Sequence, residues 1–464
     1  MPDNISAYIE TACQQIRWKR AQPALMAELR THLLDQKDAY AADGMDDDAA
    51  ETEALRQMGD PVTVGSELDR VHRPKPQRGL LLLTGGIAVL GASLRVWLTA
   101  GWGSEQLSPV STAVALLVGF AALSACYLLD FSALGAYAKQ IYAGAIGLTV
   151  VLCAVSPVIN HVSYYARYAG SLFPTVYACW LYSCRMRGWR GMLWAVLGFV
   201  PLAMLEMYIP YMTGLLLLMA VGFVLLSVAA GQDWFGIGRG KSVGAVAALG
   251  GIALGFFAYL FARGWGRSRI ALLLHPEQDP LGGGYWASVI RAALHGAALL
   301  GEGSMKDAPF ASDGLAFYQL VPESQSDCFL TTIIHGMGWL PFAAVMICFA
   351  LVMVWMVRKC MEQKNQLGKM IALSVVWSLG IQAVLSILLN LGFVLTSVHF
   401  PLLIGNLHLV LDLALIGLAL SVFRGEQLPM MNGKKPISFA GRQTPLVSWQ
   451  DGNLVIALGR KPHS

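Results

Sequence analysis

The stretch PYMTGLLLLMAVGFVLLSVAA, residues 210–230, decides the fold class of this chain. It has no charged side chain, and about twenty apolar residues are what an α-helix needs to cross the hydrocarbon core of a bilayer. Over the whole chain 56% of the residues are hydrophobic and 13% are charged, whereas average soluble proteins carry about 25% charge. Most of this chain therefore cannot face water.

Apolar runs of similar length recur on both sides of that stretch. The predicted spans lie near residues 79–99, 108–129, 138–159, 168–184, 190–208, 210–230, 242–263, 333–357, 368–394 and 401–423. We therefore predict an all-α fold, a polytopic membrane domain of about ten transmembrane helices over residues 79–423.

Short basic loops between the spans set the predicted orientation, because cytoplasmic loops carry an excess of Lys and Arg. The basic loop residues are Arg185, Arg187, Arg190, Arg239, Lys241, Arg358, Lys359, Lys364 and Lys369. If the N-terminus is cytoplasmic, all these loops are cytoplasmic, and so is the tail at residues 424–464. One long loop, residues 264–327, then lies outside the cytoplasmic membrane, and long loops in compact proteins are usually functional.

Residues 1–78 differ from the rest of the chain. They hold ten Lys/Arg and fourteen Asp/Glu, and the first eighty residues lack the apolar region of a signal peptide, so we expect the first span to direct insertion. Apolar residues at helical spacing predict a small soluble helical domain, with Gly44 as a break and Asp46 or Asp47 as the cap of a helix running to Met58. The segment 73–78 reads as a stiff basic linker.

The remaining composition excludes several classes of site. The eight cysteines are scattered through apolar runs, without CxxC or Cys/His ligand spacing, and they read as small buried hydrophobes. The basic residues lie mainly in short loops between spans, which indicates membrane topology and no nucleic-acid partner.

The outer loop carries three motifs in order: RIALLLHPEQDPLGGGY at residues 269–285, ALHGAALLGEG at 293–303 and VPESQSD at 321–327. Together they resemble the SEDS family, the FtsW/RodA/SpoVE group of peptidoglycan glycosyltransferases. That family places R…L-x-P-x-x-D-P-x-G-x-G-Y, a glycine-rich stretch and L-P-E-x-x-T-D-F in the same loop, between the seventh and eighth of ten spans. Span count, loop position and motif order agree over residues 79–423.

The resemblance implies that Asp327 is the catalytic residue, because it matches the family's essential aspartate. A carboxylate there can act as general base on a sugar hydroxyl, or hold a divalent cation (Mg²⁺ or Mn²⁺) near a diphosphate leaving group. Three cations, Arg269, Arg291 and Lys306, are candidates for contacting that diphosphate, although only Arg269 falls on a motif position. On residue physics alone, Ser-Gln-Ser-Asp before an apolar run is a good helix N-cap, a role compatible with catalysis.

Other motif residues have a plainer interpretation. Asx-Pro pairs and glycine runs are strong turn formers. We therefore assign loop architecture to the remaining motif positions, namely Asp279, Pro280, Gly282, Gly284, Tyr285, Pro322 and Glu323.

The chain departs from the family pattern inside the spans. The glutamate of the family's Q-P-S-E falls on Val176, and the aspartate of its Q-P-D-L-G-T falls on Tyr211. Among the ionisable residues that the spans retain, His408 and Asp412 share a helix face and could pair, whereas Arg95 and Glu206 lie close enough to span ends to favour snorkelling.

Two function classes follow, with a third kept open. The resemblance implies a peptidoglycan glycosyltransferase that polymerises lipid II, an undecaprenyl-linked precursor, beside a class B penicillin-binding protein. The departures favour a non-catalytic SEDS-like binder, transporter or regulator of envelope assembly. Residues 28–61 resemble the permease prefix domain, E-L-x-x-H-L-x-D … G-M … A-L-x-x-M/L-G-D-P, which implies a cytoplasmic regulatory module and leaves a solute permease as the third class.

Overall fold

The structure is a computed structural model. It describes residues 4–19, 22–72, 77–100, 109–159, 162–305, 315, 317–321, 323–394, 396–403, 406–424, 447–450 and 453–456. Two compact units can be distinguished, Met1–Pro74 with Gln427–Ser464, and Lys75–Glu426.

The N-terminal unit begins with four helices, as the periodicity predicts. Their bounds are α1 Asn4–Gln14, α2 Gln22–Ala42, α3 Asp47–Met58 and α4 Pro61–His72. Ile5, Ile9 and Leu33 are buried at their centre. Asp46 is the N-cap residue of α3, although its side chain donates and accepts no capping hydrogen bond. Gly44 and Gly59 take φ of +94° and +86°, the left-handed backbone that ends helices at glycine.

The same unit includes a β-hairpin in the C-terminal tail. Strand β3 (Val447–Gln450) pairs antiparallel with β4 (Asn453–Ile456). The alternation at residues 454–458 predicts the second strand, whereas the sequence offers no evident partner. The partner is the preceding strand, β3. It has only four residues, and they mix polar and apolar side chains, so their own pattern does not predict a strand.

Helices make up the second unit. Their bounds are α5 Arg78–Leu98, α6 Pro109–Leu128, α7 Phe131–Ala136, α8 Ala138–Val155, α9 Ala166–Gly170, α10 Phe173–Ser183, α11 Gly188–Tyr208, α12 Met212–Gly231, α13 Arg239–Phe261, α14 Gly264–Leu274, α15 Tyr285–His295, α16 Phe317–Leu320, α17 Phe329–Met337, α18 Trp339–Glu362, α19 Gln366–Asn390 and α20 Asn406–Arg424. A short antiparallel pair, β1 (Val158–Ile159) and β2 (Val162–Ser163), links α8 to α9, and a 3₁₀ turn, Pro276–Gln278, follows α14.

Nine of the described helices are long and apolar enough to span a membrane. The fourth predicted span, 168–184, corresponds to two shorter helices, α9 and α10, of five and eleven residues. They are separated by Ser171 and Leu172, and Pro174 occupies the first turn of α10, where a missing amide costs nothing. Both helices are mostly buried, so hydrophobicity alone does not tell this packed pair from a span.

The membrane unit is built around α19 and α20. One core cluster joins these helices to α5, α6, α17 and α18, and a second joins α8, α10, α11 and α12. Glycines let α6 and α20 approach closely: a Cβ added at Gly417 would lie 2.4 Å from the carbonyl oxygen of Leu123. Small residues at such crossings are typical of helix packing in lipid.

The expectation that Arg95 and Glu206 snorkel is wrong. Their side chains are buried, with exposures of 7% and 1%. Glu206 lies against Gly170 and Gly214, whose missing Cβ atoms leave room for its carboxyl group. Both residues are close to a span end in sequence, but neighbouring elements bury them, so their side chains do not reach the surface.

Candidate active site

Asp327 lies at the end of a turn that leads into α17. The backbone amides of Ser326 and Cys328 both donate to the carbonyl of Glu323, over 2.9 and 3.0 Å. Glu323 itself has φ of +48°, a left-handed conformation that few non-glycine residues adopt. Helix α17 begins at Phe329 with Cys328 as N-cap residue, and no side chain caps it. The N-cap role expected for Asp327 is therefore wrong, because the turn holds this residue one position too early.

The backbone and the side chain of Asp327 are held by different partners. The Asn390 side-chain amide donates to the Asp327 carbonyl over 2.8 Å, and its oxygen accepts from the backbone amide of Thr331 over 2.8 Å. The hydroxyl of Ser397 donates to the Asp327 carboxylate. The carboxylate thus projects from a fixed backbone and receives one hydroxyl donor.

Ser397 belongs to the non-helical segment that follows α19. The hydroxyl of Thr213, near the start of α12, lies 2.8 Å from the Thr396 hydroxyl and donates to the Ser397 carbonyl. Gly392 turns the chain at the end of α19 with φ of +84°. These bonds bring the ends of α12, α17 and α19 together around Asp327.

The surroundings of Asp327 shift its acidity. Burial raises the pKa of Asp327 to about 6. The Ser397 hydroxyl opposes that increase, the charge of Glu323 adds to it and the charge of Arg167 opposes it. A carboxyl group with a pKa near 6 is ionised at neutral pH yet basic enough to accept a proton, which is what a general base requires.

Arg167, in α9, is a cation that the sequence reasoning missed. Its guanidinium donates to the Tyr168 hydroxyl over 3.1 Å. It also lies over the rings of Tyr164 and Tyr168, 4.7 and 4.9 Å from their centroids. Aromatic faces hold a cation without neutralising it. The available signal was an arginine among three tyrosines in a short loop that the predicted topology places outside, where basic residues are uncommon.

A polar cluster joins the segment that follows Ser397 to α20. The imidazoles of His399 and His408 stack with centroids 3.6 Å apart, and the Tyr168 ring lies 4.5 Å from His408. The expected His408–Asp412 pair is wrong: the Asp412 carboxylate accepts from the Leu402 amide over 3.1 Å and lies 3.9 Å from His399 Nε2. The segment at 398–403 packs on that helix face and supplies nearer partners.

The D-P-x-G-x-G-Y motif forms a self-contained turn. The Asp279 carboxylate accepts from the Gly283 amide over 2.7 Å, and its exposed neighbour Pro280 continues the turn. A Cβ at Gly282 would lie 2.4 Å from that carboxylate, and one at Gly284 would lie 2.2 Å from a backbone oxygen. Tyr285 begins α15, and its hydroxyl donates to the Leu320 carbonyl over 2.8 Å.

Of the three predicted cations, only Arg291 has a described side chain. The Arg291 guanidinium donates to the carbonyls of Leu273 and Gly392, over 3.2 and 3.4 Å, and lies over the Phe393 ring. It therefore ties α15 to the segment that carries Ser397. Lys306 and Pro322 lie outside the described residues, as does the side chain of Arg269, whose backbone belongs to α14.

The fold and this site define a class: a polytopic membrane protein with a carboxylate where the ends of several of its helices meet. The model of the FtsW/RodA/SpoVE family, described as cell cycle protein, matches residues 175–427, more than half of the chain. The chain belongs to this family.

Relatives and solved structures agree with that assignment. The probable peptidoglycan glycosyltransferases FtsW of Trichlorobacter lovleyi and Enterococcus hirae are each 25% identical, over 247 and 254 residues, and each match covers 51% of this chain. The chain spans about 60% of the length of these curated relatives. A chain from a peptidoglycan synthase complex that coordinates polymerization and crosslinking has a TM-score of 0.58 at 20% identity, covering 76% of this chain and 99% of that one. The rod shape determining protein RodA of Thermus thermophilus has a TM-score of 0.50 at 15% identity, covering 76% and 98%.

Proposed function

We propose that this protein is a peptidoglycan glycosyltransferase that polymerises lipid II at the outer face of the cytoplasmic membrane, in cell shape, division or sporulation. The observation that carries the proposal is the environment of Asp327. Its backbone is fixed by Asn390, its carboxylate receives one hydroxyl donor, and its pKa is raised to about 6. The family membership supplies the reaction class.

The proposed chemistry is a glycosyl transfer. A sugar hydroxyl attacks the anomeric carbon that bears the undecaprenyl diphosphate, the new C–O bond forms, and the bond to the diphosphate breaks. The hydroxyl proton passes to the Asp327 carboxylate, and undecaprenyl diphosphate leaves. A general base of this kind typically contributes about 10²–10⁴-fold to the rate.

Arg167 is the proposed partner of the diphosphate. Burial raises the pKa of Asp327, and the charge of Arg167 opposes part of that rise, so the guanidinium acts on the same site as the carboxylate. Charge-assisted hydrogen bonds from a guanidinium to phosphate oxygens are among the strongest available to a protein. Arg269, Arg291 and Lys306 remain proposed further contacts, with two donors of Arg291 already directed at backbone carbonyls.

A divalent cation, Mg²⁺ or Mn²⁺, fits the donors near Asp327. Carboxylate oxygens are hard ligands, and Mg²⁺ is usually held by one or two carboxylates together with substrate phosphates. Asp327 and Glu323 would supply those carboxylates, and the ion would neutralise charge on the diphosphate. Within the described part of the chain, no group of three or more His, Cys, Asp or Glu side chains could hold a metal ion. We therefore expect metal to bind weakly unless substrate is present.

The test is polymerisation of labelled lipid II by the purified full chain, with and without a class B penicillin-binding protein and divalent metal. Asp327→Asn is expected to lower the rate by about 10²–10⁴-fold. Because burial raises the pKa of Asp327, its ionised form costs the folded state stability above pH 6, so this variant is not expected to unfold at lower temperature at pH 7.5. Activity that persists in Asp327→Asn would overturn the site assignment.

A second candidate, a non-catalytic binder of lipid-linked precursor, is favoured by one observation. Val176 and Tyr211 stand where the family has carboxylates. Tight binding of lipid II without turnover, under every partner and metal condition, would support this candidate and contradict the first. Both versions of the proposal include cytoplasmic termini and a regulatory role for the N-terminal helices.

A further inference from the structure

A cavity of about 340 Å³ lies beside the outer loop, apart from the contacts made by Asp327. Its volume falls within the range of small-molecule sites, about 300–1,000 Å³. It is lined by three aromatic residues, three polar residues and two others, which are Trp97, Phe317 and Tyr318, then Glu302, His335 and Thr332, then Leu98 and Gly336. The outer end of α5, the glycine-rich motif and α17 thus share one cavity.

The glycine-rich motif builds the rim of this cavity. The amides of Gly301 and Gly303 donate to the carbonyls of Met337 and His335, over 2.8 and 2.7 Å. Glu302 lies between these two bonds, so its backbone is held against the end of α17. Gly301 has φ of +93°, and a Cβ on Gly303 would lie 2.9 Å from His335 Nδ1. The left-handed backbone favours glycine at 301, and close contacts leave no room for a side chain at 303.

His335 is the buried polar group of the cavity wall. Its side chain is only 6% exposed, and its ring stacks on Phe317 with centroids 4.3 Å apart and planes within 5°. Nδ1 has no hydrogen-bond partner among the described residues. A buried nitrogen without a hydrogen-bond partner costs folding free energy, and the same side chain lines the cavity, where a polar ligand can contact it.

The lining combines apolar ring faces with a few polar atoms. The Trp97 ring is 63% exposed and that of Tyr318 is 36% exposed, while Glu302 is exposed at the rim. A pyranose ring has the complementary surface, because its C–H face packs on aromatic rings and its hydroxyls donate to a carboxylate or an imidazole. A cationic ligand fits less well, since one exposed carboxylate attracts a charge weakly.

We propose that this cavity binds one uncharged pyranose unit of a glycan, held by the faces of Trp97 and Tyr318 and by hydrogen bonds to Glu302 and His335. The inference rests on the proposed function for the source of the sugar, a strand of the polymer being made. A holding site beside Asp327's turn would keep that strand near the membrane between additions. The hydroxyl of Thr332, in the same wall, donates to the Ser324 carbonyl and so connects the cavity to that turn.

The experiment is binding of the N-acetylglucosamine trimer to the purified full chain in nanodiscs, followed by tryptophan fluorescence and by calorimetry. We expect saturable binding that weakens at least about tenfold in Trp97→Ala and in Glu302→Gln. His335→Gln is expected to retain part of the binding, since an amide also offers a donor and an acceptor. Matched controls are Trp189→Ala, an exposed tryptophan at the start of α11, and Glu277→Gln, an exposed carboxylate paired with His275.

The outcomes are decisive in both directions. Loss in the cavity variants with native affinity in the controls supports the proposal. Absence of saturable binding at tens of millimolar trimer, equal binding by all variants, or stronger competition by N-acetyl-lysine amide than by the trimer would overturn it. Because the readout needs no turnover, failure here leaves the polymerase test intact, and a failed polymerase test leaves this binding measurable. Thermal unfolding of each variant separates lost binding from lost folding.

Discussion

Two aspartates of the same outer loop, Asp279 and Asp327, have opposite surroundings. The carboxylate of Asp279 is exposed, and it accepts the amide of Gly283, four residues away in its own turn. The carboxylate of Asp327 is half-buried, and its hydroxyl donor, Ser397, is seventy residues away on another element. Burial shifts the pKa of Asp327 to about 6.

The comparison separates an architectural aspartate from a chemical one. A carboxylate that accepts a hydrogen bond from an amide of its own turn stabilises the backbone conformation of that turn, as in Asx turns. A carboxylate held by distant elements and partly removed from water has a perturbed acidity, which is typical of functional sites. Sequence motifs give both residues equal prominence, whereas the contacts distinguish them.

Short of removing the carboxylate of Asp327, the largest expected effect comes from moving it. In Asp327→Glu the charge remains but shifts by one methylene, and a misplacement of about 1 Å can cost about 10²-fold in rate. Initial rates of lipid II polymerisation measure the loss. Asp279→Glu is the matched control and should retain native rate within about threefold. Equal losses in both variants would break the distinction between the two residues.

Removing the clamp on the Asp327 backbone should reduce both stability and activity. In Asn390→Ala the carbonyl of Asp327 loses its 2.8 Å donor and the amide of Thr331 loses its acceptor. Leaving such buried groups unpaired costs about 2–3 kcal/mol. Thermal unfolding in detergent and polymerisation rate should fall together. Native stability would show that water or a neighbouring group replaces the amide.

The pH dependence sharpens the role of Asp327. The carboxyl group must be ionised to accept a proton, so activity should fall as the pH drops through about 6. The Ser397 hydroxyl lowers this pKa, so Ser397→Ala should move the acidic limb of the rate profile to higher pH. Asp279→Asn should leave the limb unchanged. A limb that stays in place in Ser397→Ala would contradict the assigned hydrogen bond.

The smallest effect is expected at Asp279. In Asp279→Ala one exposed hydrogen bond to Gly283 is lost, at a cost of about 1 kcal/mol. Limited proteolysis of the outer loop and the unfolding temperature report this change, and the polymerisation rate per folded molecule should stay near native. A loss of polymerisation rate comparable to that of Asp327→Glu would show that the turn contributes to catalysis.

Much of the fold could be predicted from the sequence. Apolar length locates nine of the ten spans, and glycine and aspartate positions locate the helices of the N-terminal domain, because both signals are local. The exception, the pair α9 and α10, is buried by neighbouring elements, and hydrophobicity does not distinguish burial in protein from burial in lipid.

The candidate site could be predicted only in part. Asp327 was found through its motif, whereas Ser397, Asn390 and Arg167 reach it from elements far away in sequence. The expected pairing of His408 with Asp412 followed helix periodicity correctly but ignored the segment that packs on the same face. Contacts made by non-helical segments between spans leave no periodic signal.

The central claim is that Asp327 performs the chemistry while Asp279 shapes the loop. Its most direct test is lipid II polymerisation at pH 7.5 by the native chain, Asp327→Asn and Asp279→Asn, purified in parallel with equal unfolding temperatures. The account predicts a loss of about 10²–10⁴-fold in Asp327→Asn and native rate within about threefold in Asp279→Asn. Polymer formation by Asp327→Asn at a rate similar to the native chain would contradict it.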